Sequence, residues 1–161
     1  MTKIGIAIER VQAAELDLAR DLRAMGERHA VEHDVFHLTR NLAKKCEEHV
    51  EKLRPFAECY DAPREHEGDA DTSGILETVR RKASALIGRQ PTGLLLLDDL
   101  RGLFLSTQDV VIRWVMLKQA ALAKRDKELL RVCSECETDT IAQVHWLQTR
   151  IKESAPQALT V

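Results

Sequence analysis

An all-α chain folded as one four-helix bundle is what three observations predict. Apolar residues return at steps of three and four along nearly the whole sequence, and β-branched residues do not alternate in strand fashion. Glycine and proline are few, seven and four, and they cluster at a small number of breaks. The chain has 161 residues, about the length of one ordinary domain, so residues 1–161 are read as a single unit.

The first long helix covers about residues 3–30 and the second about 34–60, with Asp34 as the expected N-cap between them. Pro63 and Gly68 then open the acidic segment DAPREHEGDADTSG at 61–74. Its spacing does not place the glycine and terminal glutamate that organise a calcium-binding EF-hand, and it reads as a solvated linker. A short amphipathic helix, ILETVRRKASALIG, follows at about 75–88, and Gly88 and Pro91 bracket the next break. The third long helix runs from about 92 to 122. The fourth runs from about 126 to 154, with Asp126 as its N-cap, Glu128 in its first turn and Lys152 near its end, as the helix dipole prefers. Pro156 is expected to stop it and leave a tail at 155–161.

Loop lengths set the expected topology. Only about three or four residues join the first helix to the second and the third to the fourth, so each pair should form an antiparallel hairpin. The roughly thirty residues between the second and third helices suffice to climb the length of a bundle. Two antiparallel hairpins joined by a long crossover carrying a short helix is the expected arrangement, with an up-down-up-down bundle as the alternative.

Composition excludes several function classes. A net charge of −2 lacks the basic excess that nucleic-acid binding requires. Three Phe, two Trp and one Tyr are too few for a base-stacking platform. No apolar run approaches a membrane span, and MTKIGIAIER lacks the layout of a secretory signal. Four cysteines, two of them as Cys133-x-x-Cys136, do not form a small secreted disulfide framework, so a reducing cytoplasm is the expected location.

Each helix carries an apolar stripe whose interruptions are informative. The first reads Ile4, Ile8, Val11, Glu15, Leu18, Leu22, Met25, His29, with an acid in mid-seam. The second reads Leu38, Leu42, Cys46, His49, Leu53, Phe56, Tyr60. The third reads Leu96, Leu100, Leu103, Thr107, Val110, Trp114, Leu117, Ala121, with Gln108 on an adjoining row. The fourth reads Leu129, Cys133, Cys136, Thr140, Val144, Leu147, Ile151. Because an unpaired polar group in a core costs about 1–3 kcal/mol, polar residues at matching depth predict one shared polar layer.

In helix order, crossover and the placing of Glu15 and His49, the chain resembles the ferritin-like four-helix bundles. That family holds two metals on a Glu, a Glu-x-x-His, a Glu and a second Glu-x-x-His from its four helices. Here the second helix offers Cys46-x-x-His49, the third offers Thr107 or Gln108, and the fourth has Cys133, Cys136, Thr140 and Gln143. The resemblance therefore implies the architecture without the carboxylates of a di-iron centre.

Residue types in these stripes also suit other chemistry. Glu15, Cys46, His49, Cys133 and Cys136 are the candidate metal ligands, since thiolate and imidazole suit zinc and x-x spacing puts both members of a pair on one helical face; iron is the other candidate. Against this, buried cysteine is also an ordinary core residue. A thioredoxin-like reading fails for want of a βαβ pattern. His29, His33 and His37 would line one face only if the helix ran through residues 31–33, where a break is expected. No Gly-x-Ser-x-Gly turn marks a nucleophile. The run Leu94-Leu95-Leu96-Leu97 is apolar around the whole helix, which implies burial under the crossover helix or in a subunit contact. The expected function is a non-catalytic oligomerising, scaffold or partner-binding protein without a cofactor, acting as a homo-oligomer or with a protein partner. The alternative is a metal-binding or oxidoreductase bundle, using zinc or iron.

Overall fold

A computed structural model describes residues 1–64 and 91–161. The expected helix at 75–88 and residues 65–74 of the acidic segment lie outside the described residues. Four long helices make up the fold: α1 (Lys3–Arg28), α2 (His33–Cys59), α3 (Thr92–Lys124) and α4 (Lys127–Thr160). No strand occurs among the described residues. No helix of the described residues is long and apolar enough to cross a membrane.

Local chemistry sets the helix ends. The Thr2 hydroxyl accepts from the Gly5 N–H at 2.9 Å, capping α1. As the sequence predicts, the Asp126 carboxylate accepts from the Leu129 N–H at 3.0 Å and starts α4. Between α3 and α4 the chain turns on Arg125, at φ 57°, whose N–H bonds back to Leu122 while that of Asp126 bonds to Ala121.

Two boundaries differ from expectation. Asp34 is not the cap of α2; Glu32 takes that place, and Asp34 lies in the first turn, where its carboxylate pairs with Arg150 at 3.0 Å. An acid in the first turn is favoured by the helix dipole without capping. Nor does Pro156 end α4, which continues to Thr160. A proline removes a single N–H, and the extension is held by packing: a Cβ built on Gly93 at the start of α3 would lie 3.6 Å from Ala158.

α1 packs most extensively on α2, and α3 on α4; α1 also lies beside α3, and α2 beside α4. Three side-chain pairs mark which helix ends meet. Arg28 grips Asp99 with two bonds of 2.9 and 3.1 Å. The Tyr60 hydroxyl donates to Asp126 at 2.7 Å. Arg150, near the end of α4, pairs with Asp34 at the start of α2. The core between the helices holds Ile8, Leu22, Leu53, Leu100, Leu117 and Leu147, all but fully buried. Each such side chain contributes about 1.5–3 kcal/mol of transfer free energy.

Candidate functional site

The interruptions in the stripes meet at one level of the bundle. Glu15 stands four residues after Val11 and three before Leu18, so the seam that buries those two also buries it, to 0% exposure. His49, one turn after Cys46 and one before Leu53, enters the core of α2 for the same reason and is likewise 0% exposed. His49 Nδ1 and Glu15 Oε1 are 2.8 Å apart. The Trp114 indole N–H of α3 donates to the same oxygen at 2.8 Å. On the far side of the imidazole, Nε2 lies 3.1 Å from Asp139 Oδ2 of α4. Asp139 reaches the rim, where Lys45 approaches it at 3.5 Å. One hydrogen-bonded chain thus joins all four helices, and the Trp114 ring stands edge-on to His49 with centroids 5.9 Å apart.

A carboxylate accepts and does not donate, so an imidazole between two of them must donate from both nitrogens. His49 is therefore held as the imidazolium. Burial, the largest influence, pulls its proton affinity down; the bond and charge of Glu15, then those of Asp139, outweigh burial and raise it above the ordinary value. Burial pushes the Asp139 carboxyl up, but His49 and Lys45 together hold it below the usual range. The formal charges of Glu15, His49, Asp139 and Lys45 alternate and cancel along the chain.

Cys46 sits in the same layer, its sulfur 3.9 Å from Gln143 Oε1. Burial, and then the charge of Glu15, push its thiol well above the ordinary range. Cys133 and Cys136 are buried along α4, and burial raises each thiol to about 12. Neither is hydrogen-bonded to Glu15 or His49. In these environments the proton stays on sulfur, so none of the three is a ready nucleophile. Among the described residues no three His, Cys, Asp or Glu side chains are grouped so as to hold a metal ion. The spare acceptor of the layer is Glu15 Oε2, which is buried and has no hydrogen-bond partner.

Comparison with family models, with curated proteins and with solved structures finds no match to this chain.

Of the residues singled out from sequence, Glu15 and His49 are brought together, and Cys46 is placed beside them. The polar layer is thinner than the stripes suggest. The hydroxyls of Thr107 and Thr140 donate to carbonyls of their own helices, those of Leu103 and Cys136, both at 2.7 Å. Trp114 and Asp139 complete the network and were not marked in advance. For Trp114 there was a signal, since a buried indole N–H requires an acceptor. Asp139 lies one position off the stripe, and no periodicity distinguishes it from any rim acid.

The histidine ladder is broken where expected. His29 caps α1, buried, with Nε2 2.7 Å from Asp99, while His33 and His37 are exposed at the start of α2. Beside that ion cluster, Asp21, Met25, Arg28, Asp98, Gly102 and Ser106 border a groove of about 220 Å³ between α1 and α3. Met25 lies about 15 Å along α1 from Glu15 at 1.5 Å per residue, so the groove does not open on the polar layer.

Proposed function

We propose that the chain is a non-catalytic helical bundle of ferritin-like build that works as an oligomerising, scaffold or partner-binding protein in the cytoplasm. One observation carries the reading: both nitrogens of the central imidazole are engaged by carboxylates of the chain itself. A general base must reach the proton it abstracts at about 2.6–3.2 Å, and His49 offers no free nitrogen to do so. The outward surface supports the same reading. Leu105, Ile112 and Met116 stand 53%, 56% and 63% exposed on α3, directly opposite the helix's core face. Leu95 and Leu97 are half-buried, so the exposed apolar surface lies further along α3 than the four-leucine run.

The ferritin-like path belongs to the proposal. Arg28 with Asp99 and Glu15 with Trp114 support antiparallel α1 and α3, and Arg150 with Asp34 supports antiparallel α2 and α4. Helices α2 and α3 then run the same way, as the ferritin-like order requires and an up-down-up-down order does not.

Elemental analysis of protein purified without affinity tag or chelator tests the reading. The expected result is no stoichiometric metal, before or after anaerobic incubation with iron and zinc. About one equivalent of zinc, or two of iron, would overturn it. A second reading, a metal-binding or oxidoreductase bundle using Glu15, Cys46, His49, Cys133 and Cys136, is favoured by one observation, the unpartnered buried oxygen of Glu15. Under that reading His49→Ala lowers metal content together with the melting temperature.

A further inference from the structure

We propose that the outward face of α3 binds the same face of a second copy of this chain, as an antiparallel two-fold pair centred on Leu105. The proposal rests on the interaction-module reading above and names the partner.

Along α3 the outward arc carries half-buried Leu94 and exposed Asp98, Arg101, Leu105, Asp109, Ile112 and Met116. Arg101 is exposed and makes no ion pair with any described residue. It lies one turn before Leu105, and Asp109, also exposed, lies one turn after it. In a two-fold contact each residue meets its counterpart reciprocally. An antiparallel pairing about Leu105 therefore sets Arg101 of each copy against Asp109 of the other, twice, with the two Leu105 side chains between them. The same register lays Met116 against the second copy's Leu94 and Ile112 against its Asp98, so the apolar contact is made by Leu105, Met116 and Leu94. A parallel pairing would instead set Arg101 against Arg101 and Asp109 against Asp109. Charge thus selects the antiparallel direction, while the apolar residues supply the area removed from water. Asp109 also pairs with Arg113 at 2.7 Å within its own helix, so the second copy's Arg101 would share its carboxylate. A contact along one helix is small for a protein interface, so the association belongs in the micromolar range.

Sedimentation velocity on the full chain from about 1 to 100 µM is the test. The expected result is a concentration-dependent shift from one chain mass, 18.2 kDa, toward two. Leu105→Glu should hold the protein at one mass with an unchanged helical spectrum, because the site is exposed. Arg101→Glu should weaken pairing about tenfold, and adding Asp109→Arg should restore it. Restoration by a swap within one chain is expected of a self-pair and not of a different partner on this face. A wild-type chain that stays at one mass throughout overturns the proposal. So does a dimer that survives Leu105→Glu, and so does a charge swap that fails to restore pairing. None of these results alters the metal measurement, which decides the interaction-module reading separately.

Discussion

Replacing Glu15 by methionine should destabilise the fold by about 3–5 kcal/mol, the range for breaking a buried ion pair from one side. Two donors, His49 Nδ1 and Trp114 Nε1, converge on Glu15 Oε1 at 2.8 Å each. Methionine fills the space but accepts from neither. Each stranded donor costs about 1–3 kcal/mol, and the imidazolium keeps Asp139 alone as its counter-charge. The apolar side chain recovers part of this, because a buried carboxylate no longer has to be desolvated. At about 2–4 °C per kcal/mol for a chain of this size, the melting temperature should fall by roughly 6–20 °C. Urea titration followed by circular dichroism reads the change, with an unaltered slope showing that the same surface unfolds. Glu15→Gln keeps an acceptor in place and should cost only about 1–2 kcal/mol. The double variant Glu15→Met with His49→Leu should cost less than the sum of the singles by about 2 kcal/mol, because no unpaired ion is left buried. A cost below about 0.5 kcal/mol for Glu15→Met, or strict additivity in the double, would refute the account of a coupled buried network.

Stability should depend on pH from both sides. Burial lowers the proton affinity of His49, but Glu15 and Asp139 together raise it, so its contribution is complete below its ordinary value of 6.5 and is lost as pH rises through the raised one. Asp139 is held below its ordinary 3.8, so its contribution is present above that value and is lost as pH falls through the lowered one. Denaturation midpoints measured across pH should form a plateau between these limits, and His49→Gln should remove the alkaline decline; a wild-type profile flat on the alkaline side contradicts the imidazolium assignment. Titration of the native protein with a thiol reagent should modify Cys59, the exposed cysteine, while Cys46, Cys133 and Cys136 react only on unfolding. Fast native reaction at Cys133 or Cys136 would show that α4 opens locally, and at Cys46 that α2 does. Gly5→Ala should cost about 2 kcal/mol although alanine is the better helix former, because its Cβ would meet the Tyr60 carbonyl oxygen at 2.5 Å and that neighbour is backbone. A neutral or stabilising result in thermal melts would mean that α1 and the end of α2 can move apart at little cost.

The helices were legible because the three-and-four step of their apolar residues is a property of the sequence alone. Val11, Leu18 and Leu22 place α1's buried face with no knowledge of its neighbours. Glu15 and His49 were legible for the same reason, as polar residues at positions the period assigns to the core. What each bonds to depends on the rotation and axial offset between helices, which no single stripe encodes. Trp114 therefore read as apolar bulk, Asp139 went unmarked, and Thr107 and Thr140 were counted in a layer their hydroxyls do not join. Pro156 misled in the opposite direction, because a local breaker was outweighed by packing of Ala158 beside Gly93.

The network that periodicity could not assemble is also what restricts the bundle to one alignment. Leucine faces such as those of Leu18, Leu53 and Leu117 are nearly indifferent to a shift of one turn, since one apolar side chain replaces another. Glu15 and His49 are not. Sliding α1 by one turn, about 5.4 Å, would remove the acceptor of His49 and Trp114 and bury a carboxylate against hydrocarbon. Asp139 adds the same requirement for α4, and Trp114 for α3, so a slip of any helix strands at least one buried polar group. The Glu15→Met/His49→Leu variant tests this apart from stability: losing the network should broaden the side-chain NMR spectrum even at temperatures well below the variant's own melting transition. A spectrum as sharp as wild type would show that apolar packing alone sets the alignment.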